Sequence, residues 1–169
     1  MRTAITLAGV TIMPIRIRGP GREPRRIRPE DAIKAISLVK EGIKLFTAGP
    51  PIIHRGPAGE IHVDVPLMYN GYALDRIHYD PYTNTFSPKG RPVHAINVQI
   101  SRDTVWQLSK QYVKELYVIE AVEYREPEDV WVVPLAWRCF IVAHIKVSYD
   151  GEELVPDYPL TEEITGRLM

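Results

Sequence analysis

The sequence predicts an α+β fold, a mostly antiparallel β-sheet with two main helices packed on one face and a basic N-terminal loop. Three observations predict it. Residues 29–46 and 102–114 carry apolar side chains at helical spacing. Most of the remainder alternates apolar and polar residues between turn signals. No glycine-rich phosphate loop follows a strand, and strands and helices do not repeat as βαβ units, which argues against a doubly wound parallel sheet.

Thr3–Leu7 and Val10–Ile17 are β-rich and separated by Ala8-Gly9, so they read as two short strands or one bent strand. Residues 18–28 hold four breakers, Gly19, Pro20, Gly21 and Pro24, and no apolar period, which makes them an exposed arm. Pro29, Glu30 and Asp31 suit a first helical turn, with proline preset for the helix and acids at the positive end of its dipole. Ala32, Ile33, Ile36, Val39, Ile43 and Phe46 follow at helical spacing until Gly49-Pro50-Pro51. Ile61, Val63 and Val65 alternate with His62 and Asp64, a half-buried strand. Asn70-Gly71 is a type I′ hairpin signal, because both residues tolerate positive φ, and it pairs that strand with Tyr72–Tyr79.

A strand is expected over Val93–Ile100, with His94, Ile96, Val98 and Ile100 on one face. Ser101 is placed to cap a second helix that turns Val105, Trp106, Leu108 and Tyr112 inward. Leu116–Tyr124 reads as a strand. From Trp131 to Val147 every odd position but Cys139 is apolar or aromatic, which predicts one long strand with Cys139 on its buried face, where the thiol would be inert. Pro134 predicts an edge or a bulge partway along it. Asp150-Gly151 turns the chain back, and Thr161 is placed to cap a last helical turn.

All 169 residues fit one domain, with the arm at 18–28 inside it. A domain of this size buries about 70% of the surface of its unfolded chain and needs no metal or disulfide to fold. The single cysteine excludes an intramolecular disulfide, an Fe–S cluster and a multi-Cys zinc site. One cysteine, no apolar run of about 20 residues and no convincing signal peptide lead to the expectation of a cytoplasmic chain with no membrane partner. Fifteen prolines with three glutamines and three asparagines point to a thermophilic source.

The formal net charge of zero hides a split along the chain. Residues 1–28 hold seven arginines against Glu23 alone, a net +6, while residues 115–169 hold twelve acids against four cations, a net −8. The leading expectation is therefore a binding protein without catalytic activity or cofactor. Its arm would grip the phosphates of RNA or single-stranded DNA through Arg18, Arg22, Arg25, Arg26 and Arg28. The loop with Tyr82, Phe86, Lys89 and Arg91 interleaves rings and cations and could stack bases. A pI near 7 weighs against a dedicated nucleic-acid binder. The alternative is a homo-oligomeric assembly module whose basic arm docks on the acidic C-terminal region of a neighbour.

A further alternative is a metal-dependent enzyme with His62, Asp64, Asp75 and His78 as ligands, since imidazole and carboxylate suit zinc, manganese or iron. With a two-residue turn at Asn70-Gly71, His62 pairs with Tyr79 and Val63 with His78. His62, Asp64 and Asp75 then share one face while His78 points to the other. Only a one-residue slip would change this, and Pro66 makes a bulge possible. His54 reads as part of an exposed turn, His94 as a core histidine, and Arg138, His144 and Lys146 as a row able to hold an anion. No serine sits in a glycine-flanked elbow.

Overall fold

The alternating segments fold into two curled sheets around a shared core. The computed structural model describes residues 5–7, 10–15 and 27–168. Twelve strands are described: β1 Ile5–Leu7, β2 Val10–Ile15, β3 Thr47–Ala48, β4 Ile52–Arg55, β5 Ile61–Tyr69, β6 Tyr72–Asp80, β7 Thr85–Phe86, β8 Tyr117–Val118, β9 Ala121–Arg125, β10 Val130–Trp137, β11 Phe140–Ser148 and β12 Leu154–Val155. The helices are α1 Pro29–Gly42, α2 Arg102–Val113 and α3 Tyr158–Leu168. The α+β class holds, with the strands divided between two sheets and a third helix at the C-terminal end.

The larger sheet runs β1-β2-β9-β10-β11-β12, with β8 also on β10. Its pairs are antiparallel except β2 with β9. The smaller sheet runs β3-β5-β6-β7, with β4 also on β5. Helix α1 lays Ala32, Ala35, Ile36 and Val39 against the larger sheet. Helix α2 packs on β3, β5 and β7, starts at Ser101, whose Oγ accepts from the Thr104 amide, and sends the Trp106 indole N–H to the Ala48 carbonyl. Trp131, Val133, Leu135 and Trp137 from β10 meet Val63, Val65, Leu67, Ile77 and Tyr79 of the hairpin β5–β6 in one core.

Several expectations change. The run from 131 to 147 is a hairpin, because Arg138 takes a φ of 57° and turns the chain between β10 and β11. Cys139 is in that turn and exposed. Pro134 falls between the stretches of β10 that pair with β9 and with β8, where no amide is needed, and the bulge lies one residue on, between Leu135 and Ala136. Residues 93–100 form no strand. Asn97 enters the left-handed region at φ 58°, and only Ala95 makes a bridge, to Ile61. Thr161 lies inside α3, where Asp157 is the cap: its carboxylate accepts from the Leu160 amide.

The hairpin β5–β6 also departs from its expected register. Tyr69 pairs with Tyr72 and Met68 with Ala73, as a two-residue turn requires. Beyond that point Leu67 pairs with Asp75, so Leu74 is an extra residue and every later pair is shifted by one. No helix of the described residues is long and apolar enough to cross a membrane.

Candidate metal centre

The shift at Leu74 decides what the outer face of the smaller sheet carries. It places Asp64 directly opposite His78, while the pairing of β4 with β5 places His54 opposite His62. Side chains alternate along a strand, so His62, Asp64, His54, Arg76 and His78 all stand on the face away from the main core. At one end this face is covered by α3, where Leu160 and Ile164 pack on Ile52, Ala73 and Met68. At the other end the bridge between Ala95 and Ile61 holds His94 beside His62, their ring centroids 5.3 Å apart.

Asp64 is the centre of the group and has no exposed surface. Its Oδ1 accepts from His78 Nδ1 at 2.8 Å and its Oδ2 from Arg76 Nη1 at 3.1 Å. His54 Nε2 stands 3.6 Å from Oδ2. His62 Nε2 is 3.0 Å from Oδ1, but its alignment makes no hydrogen bond, and this nitrogen is buried without a partner. The His62 ring stacks on His54 at 5.2 Å and tilts against His78 at 5.7 Å. Arg76 also reaches Glu163 of α3, with Nη2 3.4 Å from Oε2.

The charge states follow from these neighbours. Burial lowers the pKa of His62 most; Asp64 opposes the shift, and His54, His78 and His94 add to it. The ring is neutral near pH 7 and keeps a lone pair. Burial alone would raise the pKa of Asp64. The His78 hydrogen bond, the charges of His62 and His78, and Arg76 together outweigh it, so the carboxyl lies below its ordinary range. Ionised carboxylate and neutral imidazole are the forms that bind metal.

Ligand atoms of His54, His62 and Asp64 lie within 4.8 Å of one another, close enough for one ion to touch all three. His78 is placed to orient the carboxylate by donating to it, as outer partners of metal ligands do. Of the four residues expected as ligands, the structure gathers His62, Asp64 and His78. Asp75 points to the other face, accepts from Lys89 Nζ at 2.7 and 2.8 Å and from the His144 amide at 2.8 Å, and ties β6 to β11. His54 and His94 join the group instead. The signal for His54 was its place on a strand opposite His62; for His94 it was the tether at Ala95.

The other expected contacts are dispersed. Arg18, Arg22, Arg25 and Arg26 lie outside the described residues. Arg28 precedes α1 and lies 3.8 Å from Glu30 and 3.7 Å from Asp31. Tyr82 is exposed and its hydroxyl accepts from the Ile96 amide; Arg91 is exposed. Lys89 is held by Asp75. Phe86 cannot stack on a base, because it is 2% exposed and packed edge-on against Tyr112 and Trp137. Of the expected anion row, Arg138 lies over the Trp137 ring at 4.0 Å and Lys146 pairs with Glu128.

Comparison with known proteins returns no match: no family model, no curated protein and no solved structure corresponds to this chain.

Proposed function

We propose that this chain is a metalloprotein with a catalytic type of centre, holding one divalent transition-metal ion on His54, His62 and Asp64. The observation that carries the reading is the buried His62 Nε2, which has no hydrogen-bond partner and lies 3.0 Å from an ionised carboxylate oxygen. A buried nitrogen left unpaired costs about 1–3 kcal/mol, and an ion between these groups removes that penalty. Two imidazoles and one carboxylate suit zinc and the neighbouring divalent ions.

Three protein ligands leave a tetrahedral ion one position for water, the arrangement of hydrolytic centres rather than of closed structural ones. Arg76 is held between Asp64 and Glu163, so its guanidinium orients the carboxylate from the side of α3. The nucleic-acid reading keeps the arginines of the arm with the exposed Tyr82 and Arg91, and loses Phe86 and Lys89, which are committed elsewhere.

Zinc and cobalt titrations of chelator-stripped protein, followed by calorimetry and by cobalt absorption, test the proposal. One ion per chain is expected, with at least a tenfold loss of affinity in His62→Ala. No uptake by the natural protein, or uptake untouched by His62→Ala, refutes it. Zinc-dependent hydrolysis of p-nitrophenyl phosphate then tests the catalytic part separately.

A further inference from the structure

Next to the candidate metal centre, the same face of the smaller sheet carries an exposed apolar platform. Ile61 and Ala95 exchange both amide hydrogen bonds at 2.8 Å, so the segment through Ala95 runs antiparallel to the start of β5. Side chains alternate along it: Ala95 turns inward and is fully buried, while His94 and Ile96 turn outward onto the face of His62. Ile96 is 57% exposed. Against it lies Tyr82, 56% exposed and held at both ends. Its hydroxyl accepts from the Ile96 amide and its own amide donates to Asp80 Oδ1, both at 2.8 Å. A ring fixed in this way loses little freedom when a flat partner stacks on it. Ile96 is two residues from His94, about 7 Å along an extended chain, and His94 packs on His62. One ribose joins a phosphate to a base over such a distance.

The charges beside the platform suit an anion. A divalent ion with Asp64 as its one carboxylate ligand keeps a net positive charge. Arg91 is exposed and has no ion-pair partner among the described residues. Its carbonyl accepts from Ser87 Oγ, and the Ser87 amide donates to the His78 carbonyl, which ties this loop to the histidine cluster. The neighbouring acids are turned to backbone amides, Asp80 to that of Tyr82 and Glu60 to that of Ala58. We propose that the centre binds a nucleoside phosphate, with the phosphate at the open position of the ion, in the field of Arg91, and the base stacked on Tyr82 and Ile96. This rests on the metal reading. A free nucleotide and a nucleotide of a single strand offer the same two groups.

Calorimetry of the full chain, metal-free or loaded with one equivalent of zinc, against AMP, ribose 5-phosphate and single-stranded oligoadenylate is the test. AMP is expected to bind the zinc-loaded protein, to lose at least tenfold without zinc, and to bind about fivefold or more tighter than ribose 5-phosphate, the share of a stacked base. Tyr82→Ala should abolish that preference and Tyr82→Phe, which keeps the ring, should retain it, with zinc affinity unchanged in both. Arg91→Gln should weaken AMP and ribose 5-phosphate alike. Tighter binding of oligoadenylate than of AMP assigns the ligand to a strand, and the reverse order to a free nucleotide; either sustains the proposal. Zinc uptake with equal binding of AMP and ribose 5-phosphate overturns the proposal and leaves the metal centre standing, as does a Tyr82→Ala protein that keeps the preference. Absence of zinc uptake overturns both.

Discussion

Replacing Asp64 with asparagine tests the centre of the histidine cluster, because it keeps the volume and removes the charge. Two charge-assisted hydrogen bonds, from His78 and Arg76, become neutral ones. Each loses about 1 kcal/mol, taking about 1.5–3 kcal/mol for the charged kind and about 1 for the neutral. One oxygen also becomes an amide donor facing donors, which adds about 1–3 kcal/mol. Against this, a neutral amide is easier to bury than a carboxylate.

The sign is set by the pKa of Asp64, which lies below the ordinary value despite burial, so its partners outweigh the desolvation. The expected loss is about 2–3 kcal/mol in metal-free protein, read by urea unfolding with chelator present. Zinc at a hundredfold over its dissociation constant should then stabilise the natural protein by about 2.7 kcal/mol and the variant by almost nothing. Metal-free stability within about 0.5 kcal/mol of the natural protein would refute the network, being inside the range of ordinary surface changes. Equal zinc stabilisation of both proteins would remove Asp64 as a ligand.

Other expectations follow from single features. Gly151→Ala should destabilise by about 2–4 kcal/mol or prevent folding. The residue has φ +75°, and a Cβ there would stand 2.6 Å from the Asp31 carbonyl oxygen and 2.7 Å from Lys34 Cβ, so a thermal melt close to the natural one would contradict the packing of α1. His62 and His144 both have lowered pKa values. Burial is the largest cause for each, and Lys89 is the next for His144, where Asp75 opposes and Arg125 and Lys146 assist. Their folded forms bind protons less well than the unfolded chain, so their contribution is full above about pH 6.5 and falls as the pH drops below it. Urea midpoints of chelator-treated protein should decline from pH 7 to 5, and a flat profile would contradict both burials. Cys139, exposed in the turn after β10, should react with a thiol reagent in the folded protein, and reaction only on unfolding would place it in the core.

Much of this fold was legible because apolar period and turn chemistry agree. Pro29 and the spacing from Ala32 to Val39 define α1, Ser101 caps α2, and Asn70-Gly71 makes its turn with φ values of 49° and 82°. What escaped was parity. In the hairpin β10–β11 the two turn residues, Arg138 and Cys139, are followed by the extra residue Val142, so the odd positions of both arms face the same way. Alternation then runs through the turn as though it were one strand, and Arg138 in the left-handed region carries none of the usual glycine or asparagine signal. The hairpin β5–β6 hides Leu74 in the same manner, and with it the meeting of Asp64 and His78. The histidine on β4 escaped for another reason: its partner strand is set by long-range pairing, which local pattern does not encode.

The extra residue at Leu74 makes the outer face of this hairpin a matter of odd and even. Removing it, or adding one residue between Ala73 and Asp75, exchanges the two faces of one strand. Asp75 would then turn out beside Asp64, and the tie to Lys89 and His144 would break. Changes of two residues keep the faces in phase. Loop insertions at Asn70-Gly71 lie beyond the bulge and leave the phase untouched. Homologues of this chain should therefore vary freely in length at the tip and only by even steps between Ala73 and Asp75, and a length table of that hairpin would say whether the centre has been inherited.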